Sequence, residues 1–128
     1  MDDSAQKLLV TAALPYANGP LHVGHLAGAY IPADVYVRFQ RLKGSDVLFI
    51  CGSDEHGVPI TIRADSEGIS PKEVVDRYHS IMCRSFENIG LSFDNYSRTS
   101  LLLHHRISQE IFLTLNQKGF VKEKSLLI

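Results

Sequence analysis

Two histidines three residues apart, His22 and His25, close the stretch L-P-Y-A-N-G-P-L-H-V-G-H at residues 14–25, with Gly24 between them. On a helix, residues at that spacing share one face of the first turn. Main-chain N–H groups lack partners there, and the positive end of the dipole gathers. Phosphate is favoured at such an end. Two imidazole N–H groups would add directional donors to a phosphate whose charge grows in a transition state. Gly24 has no side chain, so a flat group such as a purine can press against the backbone. Asn18-Gly19 supplies the tight turn that aims the helix. Taken alone, H-x-G-H also describes two surface histidines at a helix start. The strand expected before it, the helix after it and a second polar loop weigh towards chemistry.

That second loop is G-S-D-E-H-G, residues 52–57. Carboxylates and imidazoles together can bind metal. Adjacent residues rarely converge on one ion, and the chain has no H-E-x-x-H pattern, so no metal site is assigned. A carboxylate at a strand's end suits a substrate cation, such as an amino group, through a charge-assisted hydrogen bond; Asp54 is the candidate. The plainer alternative has Asp54 capping the next segment and Glu55 solvated. Tyr16 can close over a small side chain and still offer its hydroxyl, or simply pack the loop. His79, His104 and His105 fall in helices away from the loops and are expected to be structural or surface residues. Arg38, Arg41 and Lys43 complement the dipole at a helix C-terminus.

The elements that would position these residues follow from hydrophobic spacing. Residues 8–14 are a nearly continuous apolar run stopped by Pro15, which predicts a strand buried on both faces. A loop follows, then a helix over about 22–42 in which Leu26, Tyr30, Val35, Phe39 and Leu42 recur near the helical period. Pro32 predicts a bend or break within it. Residues 46–51 predict a second strand and 59–67 a short helix. The next helix is the best signed: Ser70 as N-cap, Pro71 at the first position, Glu73 completing a capping box, and Gly90 closing it. Its stripe is Val74, Tyr78, Ile81, Met82, Phe86 and Ile89. A third strand is expected within 92–98, a last helix over roughly 101–118, and the beginning of another strand at 120–128. Strands alternating with amphipathic helices predict an α/β fold with a parallel sheet flanked by helices. In such sheets ligands bind beyond the carboxyl ends of the strands, where both polar loops fall. If the first two strands are neighbours, the loops share one crevice.

The chain has 128 residues and a net charge of −1, so no blanket attraction to nucleic acid or membrane is encoded. No apolar run approaches the ~20 residues of a membrane span, and the polar N-terminus is no signal peptide. Cys51 and Cys83 form no C-x-x-C pair and are expected to be buried free thiols, in keeping with a reducing compartment.

The stretch A-L-P-Y-A-N-G-P-L-H-V-G-H resembles the first signature of the class I aminoacyl-tRNA synthetases, the HIGH sequence, with Val23 in its second place. The flanks L-V-T-A-A-L-P-Y-A-N-G, A-D-V-Y-V-R-F-Q-R-L-K-G and F-I-C-G-S-D-E-H-G-V-P-I are similar to the methionyl-tRNA synthetase branch in particular. The resemblance runs from about residue 7 to at least residue 99; S-L-L-L-H-H-R beyond it matches poorly. It implies a Rossmann-like nucleotide-binding domain and a ligase reaction. Methionine's carboxylate attacks the α-phosphate of ATP, carried as its Mg2+ complex. Methionyl-adenylate and pyrophosphate result, and the methionyl group then passes to tRNA(Met) in the cytoplasm. By the same resemblance His22 and His25 are catalytic, and with Asn18, Gly19 and Gly24 they bind ATP, Gly24 lying under the adenine. Ala13, Leu14, Pro15 and Tyr16 line the methionine pocket, and Asp54 holds the amino group.

The second signature of that family, K-M-S-K-S, is absent, as are the zinc-bearing part of the connective insertion, the second half of the nucleotide fold and the anticodon-binding helices. Residues 1–119 are therefore read as the first half of the catalytic domain and 120–128 as the start of the insertion. As an N-terminal fragment the chain is expected to be inactive, or nearly so, in adenylate formation. It is also expected to self-associate through an uncovered apolar edge and face. Two alternatives stand beside this reading: a class I synthetase for another amino acid, and a non-catalytic module that keeps the fold and binds a nucleotide or a partner protein.

Overall fold

A computed structural model describes residues 6–124, which divide into two units, one up to Arg98 and one from Thr99 on. In the first, β1 (Lys7–Thr11), β2 (Asp46–Ser53) and β3 (Asn95–Arg98) form one parallel sheet in the order β1-β2-β3. Both crossovers are helical. Between β1 and β2 run a turn of helix α1 (Val23–His25), a π-helical segment (Leu26–Tyr30) and α2 (Ile31–Leu42). Between β2 and β3 run α3 (Val58–Glu67) and α4 (Pro71–Asn88). This is the α/β arrangement that the alternating pattern predicts.

Register explains which sheet face is covered. Leu8 pairs with Val47 and Val10 with Phe49, and these residues meet one core with Tyr30, Val37, Val74, Met82 and Phe86. The intervening pair, Leu9 and Leu48, faces the other way and is 64% and 52% exposed. The expectation of a first strand buried on both faces is thus corrected: the strands are apolar throughout, but the described residues cover one face. The ladder also stops at Thr11 rather than running to residue 14, because the chain beyond it turns into the loop that carries Tyr16.

Pro32 acts as expected, and the form of the disturbance has consequences. Hydrogen bonding shifts to the wider π pattern just before it, the N–H of Ile31 donating to the carbonyl of Leu26, and Pro32 then sits in the first turn of α2, where its missing N–H costs little. A π turn takes in about one residue more than an α turn, which rotates the downstream helix by ~100°. The buried face is therefore Tyr30, Asp34 and Val37, while Val35, Phe39 and Leu42 of the expected stripe are 60%, 55% and 88% exposed. Buried Asp34 is fully engaged: Oδ1 accepts from the N–H (2.7 Å) and hydroxyl (2.6 Å) of Ser92, and Oδ2 from Arg38 Nε (2.6 Å). Arg38 also donates to the Gly90 carbonyl, and Arg41 donates to Asp94 Oδ2 (2.6 Å) and the Val47 carbonyl (3.2 Å). These arginines tie α2 to the sheet and to the loop after α4; complementing a helix dipole is not their main work.

Helix α4 begins as its sequence says. The N–H of Glu73 donates to Ser70 Oγ (3.2 Å) and the N–H of Ser70 to Glu73 Oε2 (2.9 Å). Val74, Val75, Tyr78, Met82 and Phe86 are buried, whereas Ile89 lies past the last turn and is 46% exposed. The second unit holds α5 (Leu102–Gln117), with no buried residue. Residues 120–124 carry no strand, and 125–128 of the expected one lie outside the described residues. No helix among the described residues is long and apolar enough to cross a membrane.

Candidate functional site

The two polar loops meet. Beyond β1 the chain continues alongside the end of β2, where Tyr16 and Asp54 form a parallel bridge. The N–H of Asp54 donates to the carbonyl of Pro15, and the N–H of Ala17 to the carbonyl of Asp54, both at 2.8 Å. Asp54 is thus stitched to the loop that leads into His22 and His25, at the carboxyl ends of adjacent strands. Both loops lie at the end of the sheet where a shared crevice requires them.

Within the first loop, Ala12 and Ala17 are buried, while Ala13, Leu14 and Tyr16 are open. The Tyr30 hydroxyl donates to the carbonyl of Ala13 at 2.9 Å, so the π segment fixes the floor of this loop. Burial, with the nearby Cys51, pushes that hydroxyl up to about 12, which keeps it a donor. The Cys51 thiol lies 3.7 Å from the carbonyls of Ala12 and Ala13 and is itself pushed up to about 11 by burial, an inert packing group. Tyr16 reaches across to the second loop. A Cβ at Gly57 would stand 3.3 Å from the Tyr16 hydroxyl oxygen, and Gly57 has a φ of +118° that side chains rarely adopt.

The paired imidazoles are exposed and stacked, with ring centroids 3.7 Å apart at 24°. His22 stands at the N-cap with extended backbone, and its main-chain N–H donates to Nδ1 of His25 at 3.2 Å. Nδ1 is therefore an acceptor, which places the proton of the neutral ring on Nε2 as an outward donor. Gly24 makes the stacking possible: a Cβ there would lie 2.9 Å from Cε1 of His22. Asn18 and Gly19 are half-buried in the turn between the two groups.

One cluster is not visible in the sequence pattern. Glu55 is buried, not solvated, with a side chain 0% exposed. Its Oε2 accepts from Arg98 Nε and its Oε1 from the Ser53 hydroxyl, both at 2.8 Å. Arg98 also reaches Asp76 Oδ1 at 2.6 Å. His79, expected to lie away from the loops, has its Nδ1 2.8 Å from Ser53 Oγ. Because Ser53 donates to Glu55, His79 Nδ1–H donates to Ser53, and Nε2 is left as an acceptor 3.5 Å from the half-buried Cys83 thiol. Burial first, then the Arg98 charge, lowers the His79 pKa and keeps the ring neutral. Cys83, expected to be a buried free thiol, is free but only half-buried, on α4 next to buried Met82. The signal for this cluster was a cation, Arg98, at the end of a strand that pairs with the strand carrying Ser53.

A family model for tRNA synthetases class I (M) matches residues 8–127. The chain belongs to that family. The methionine–tRNA ligase of Bacteroides fragilis is 60% identical over 125 residues, covering 98% of this chain and 18% of that protein. The methionine–tRNA ligase of Chlorobium phaeovibrioides is 60% identical over 120 residues, covering 94% of this chain and 17% of its own length. The chain thus spans under a fifth of these relatives. Among solved structures, the Mycobacterium tuberculosis methionyl-tRNA synthetase in complex with methionyl-adenylate matches at a TM-score of 0.86 and 34% identity, over 89% of this chain and 22% of that one. The Agrobacterium radiobacter LeuRS–tRNA–LeuAMS ternary complex matches at 0.84 and 29%, over 92% of this chain and 15% of that one. The sheet and its helices are therefore those of the synthetase Rossmann-like domain.

Proposed function

We propose that this chain is the ATP- and methionine-binding part of a methionine–tRNA ligase, comprising the first half of its catalytic domain, with residues 120–128 opening the connective insertion. The observation that carries the reading is the hydrogen-bonded junction of Asp54 with Pro15–Ala17 at the sheet end that also bears His22 and His25. The fold is shared with a leucine-type neighbour at nearly the same TM-score, so the amino acid is argued from sequence. Identity of 60% to methionine–tRNA ligases over a match that covers 98% of this chain supports methionine.

In this reading the methionine ammonium is taken by the Asp54 carboxylate, and Ala13, Leu14, Pro15 and Tyr16 line the side-chain pocket. An oxygen of the methionine carboxylate forms a bond to the α-phosphorus of ATP as the bond to the bridging oxygen breaks and pyrophosphate leaves. His25 Nε2–H, held outward by its Nδ1 contact, donates to the phosphate as its charge grows, and His22 stacks beside it. Asn18 and Gly19 shape the turn that presents the nucleotide, and Gly24 gives it close approach to the backbone. Mg2+ arrives with the phosphates of the nucleotide. The methionyl group then passes to tRNA(Met), as cytoplasmic protein synthesis requires, with the help of residues that relatives carry outside this span.

The test is methionine-dependent ATP–pyrophosphate exchange, run on the 128-residue chain and on a chimera in which it replaces the matching stretch of the Bacteroides fragilis ligase. The chain alone is expected to show no exchange, and the chimera robust exchange with methionine but not leucine, valine or isoleucine. A folded chimera that ignores methionine would overturn the reading.

A further inference from the structure

We propose that the buried Glu55–Arg98 ion pair is a positioning element for Asp54, setting the side of the chain on which its carboxylate emerges and hence the affinity for the substrate's ammonium group. The proposal rests on the reading that Asp54 takes that ammonium. Residues 53–55 continue the extended chain of β2, where successive side chains point to opposite sides. Ser53 and Glu55 are buried and Asp54 between them is half-exposed, as that alternation requires. Turning Glu55 inward therefore turns Asp54 to the opposite side, at the position whose backbone is bridged to Tyr16.

A carboxylate turned inward needs a partner, since an unpaired buried charge is strongly destabilising. Arg98 is that partner, and it is doubly fixed. It lies in register with Ser53 on the neighbouring strand, and its second arm is held by Asp76 on α4. Ser53 and His79 close the remaining side of Glu55. The carbonyl and N–H of Asp54 are meanwhile bonded to Ala17 and Pro15. Asp54 is thus restrained on its own main chain by the first loop, at Oδ1 by the N–H of His56, which donates to it at 3.3 Å as the capping alternative expects, and through its neighbour by α4 and β3. Well-packed apolar groups commonly stabilise a fold as much as such an ion pair does, so a fixed side-chain direction next to the ligand is the gain that accounts for it.

The experiment uses the active chimera, with Glu55→Gln, Arg98→Lys and Arg98→Met. Readouts are KM for methionine, KM for ATP, kcat, and inhibition by 4-(methylthio)butanoate, which is methionine without its amino group. Misplacement of Asp54 is expected to raise the methionine KM by about 10- to 100-fold in Glu55→Gln and Arg98→Met. The ATP KM and inhibition by the amine-free acid should stay close to the parent's. Arg98→Lys keeps the charge without the planar fork and is expected to fold and to shift the methionine KM in the same direction by less. Loss of methionine, ATP and amine-free acid binding together would assign the pair a merely structural role and overturn the proposal. So would an unchanged methionine KM in Glu55→Gln or Arg98→Lys. Should Arg98→Met fail to fold, Arg98→Lys and Glu55→Gln decide alone. In the parent chimera, equal binding of methionine and the amine-free acid would fault the assignment of Asp54 to the ammonium, a failure separate from that of the ion pair.

Discussion

Replacing Gly57 with alanine presses on the candidate pocket from one side with a single methyl group. Gly57 has φ of +118° and ψ of 166°, at the N-cap of α3. That region is used almost only by glycine, and holding another residue there costs about 1–3 kcal/mol. The added Cβ would also stand 3.3 Å from the Tyr16 hydroxyl oxygen and 3.6 Å from its Cε1. The strain has two outlets. If the loop keeps its shape, the cost appears as lost local stability. If the loop relaxes, Tyr16 and Asp54 shift together, because their backbones are bridged. In the second case about 1–3 kcal/mol becomes a loss of about 5- to 150-fold in kcat/KM for methionine. The assay is methionine- and ATP-dependent pyrophosphate exchange in the chimera, paired with hydrogen exchange of the segment 54–60. ATP parameters should hold while either the methionine term or the protection falls. Adding Tyr16→Phe removes the hydroxyl contact but not the backbone strain, so the double variant separates the two contributions. Gly57→Ala with parental kinetics and parental protection would refute the reasoning, since neither outlet would have been used.

Other outcomes rest on the same geometry. His25→Ala removes the outward Nε2–H donor and is expected to lower kcat for exchange by about 10²–10³-fold with little change in methionine KM; a rise in methionine KM alone would place His25 in the amino-acid pocket instead. Burial of Asp34 would by itself raise its pKa, but hydrogen bonds from Ser92 and Arg38 outweigh that and hold its carboxyl below the ordinary range. Its stabilising contribution is therefore present above the unfolded value of ~4 and is lost as pH falls through the lower folded value. Asp34→Asn should lower hydrogen-exchange protection of residues 31–42 in the chimera at neutral pH, and the gap to the parent should close in acid; a gap that widens in acid would contradict the shift. The isolated chain leaves Leu9 and Leu48 on an open sheet face, and sedimentation at rising concentration is expected to show self-association, whereas a monodisperse monomer would show that the face is tolerated in water.

The helix with Ser70, Pro71 and Glu73 at its start was legible because capping is local: its partners lie within one turn. The H-V-G-H stretch was legible for a similar reason, its spacing fixing two imidazoles on one turn, and the order of strands and helices predicted that both polar loops reach the same end of the sheet. Three things needed the folded chain. The π segment rotated the buried face of α2 onto Tyr30, Asp34 and Val37, a change of hydrogen-bond period that apolar spacing alone does not specify. The single covered face of the sheet depended on where every helix packed. And within S-D-E-H nothing local says which carboxylate turns inward. That was decided by Arg98, 43 residues along the chain from Glu55, and by Asp76 beyond it. A buried charge needs a partner, here a distant one, so the sequence named the candidates for chemistry while tertiary contacts chose which of two adjacent acids is buried and which stays partly exposed.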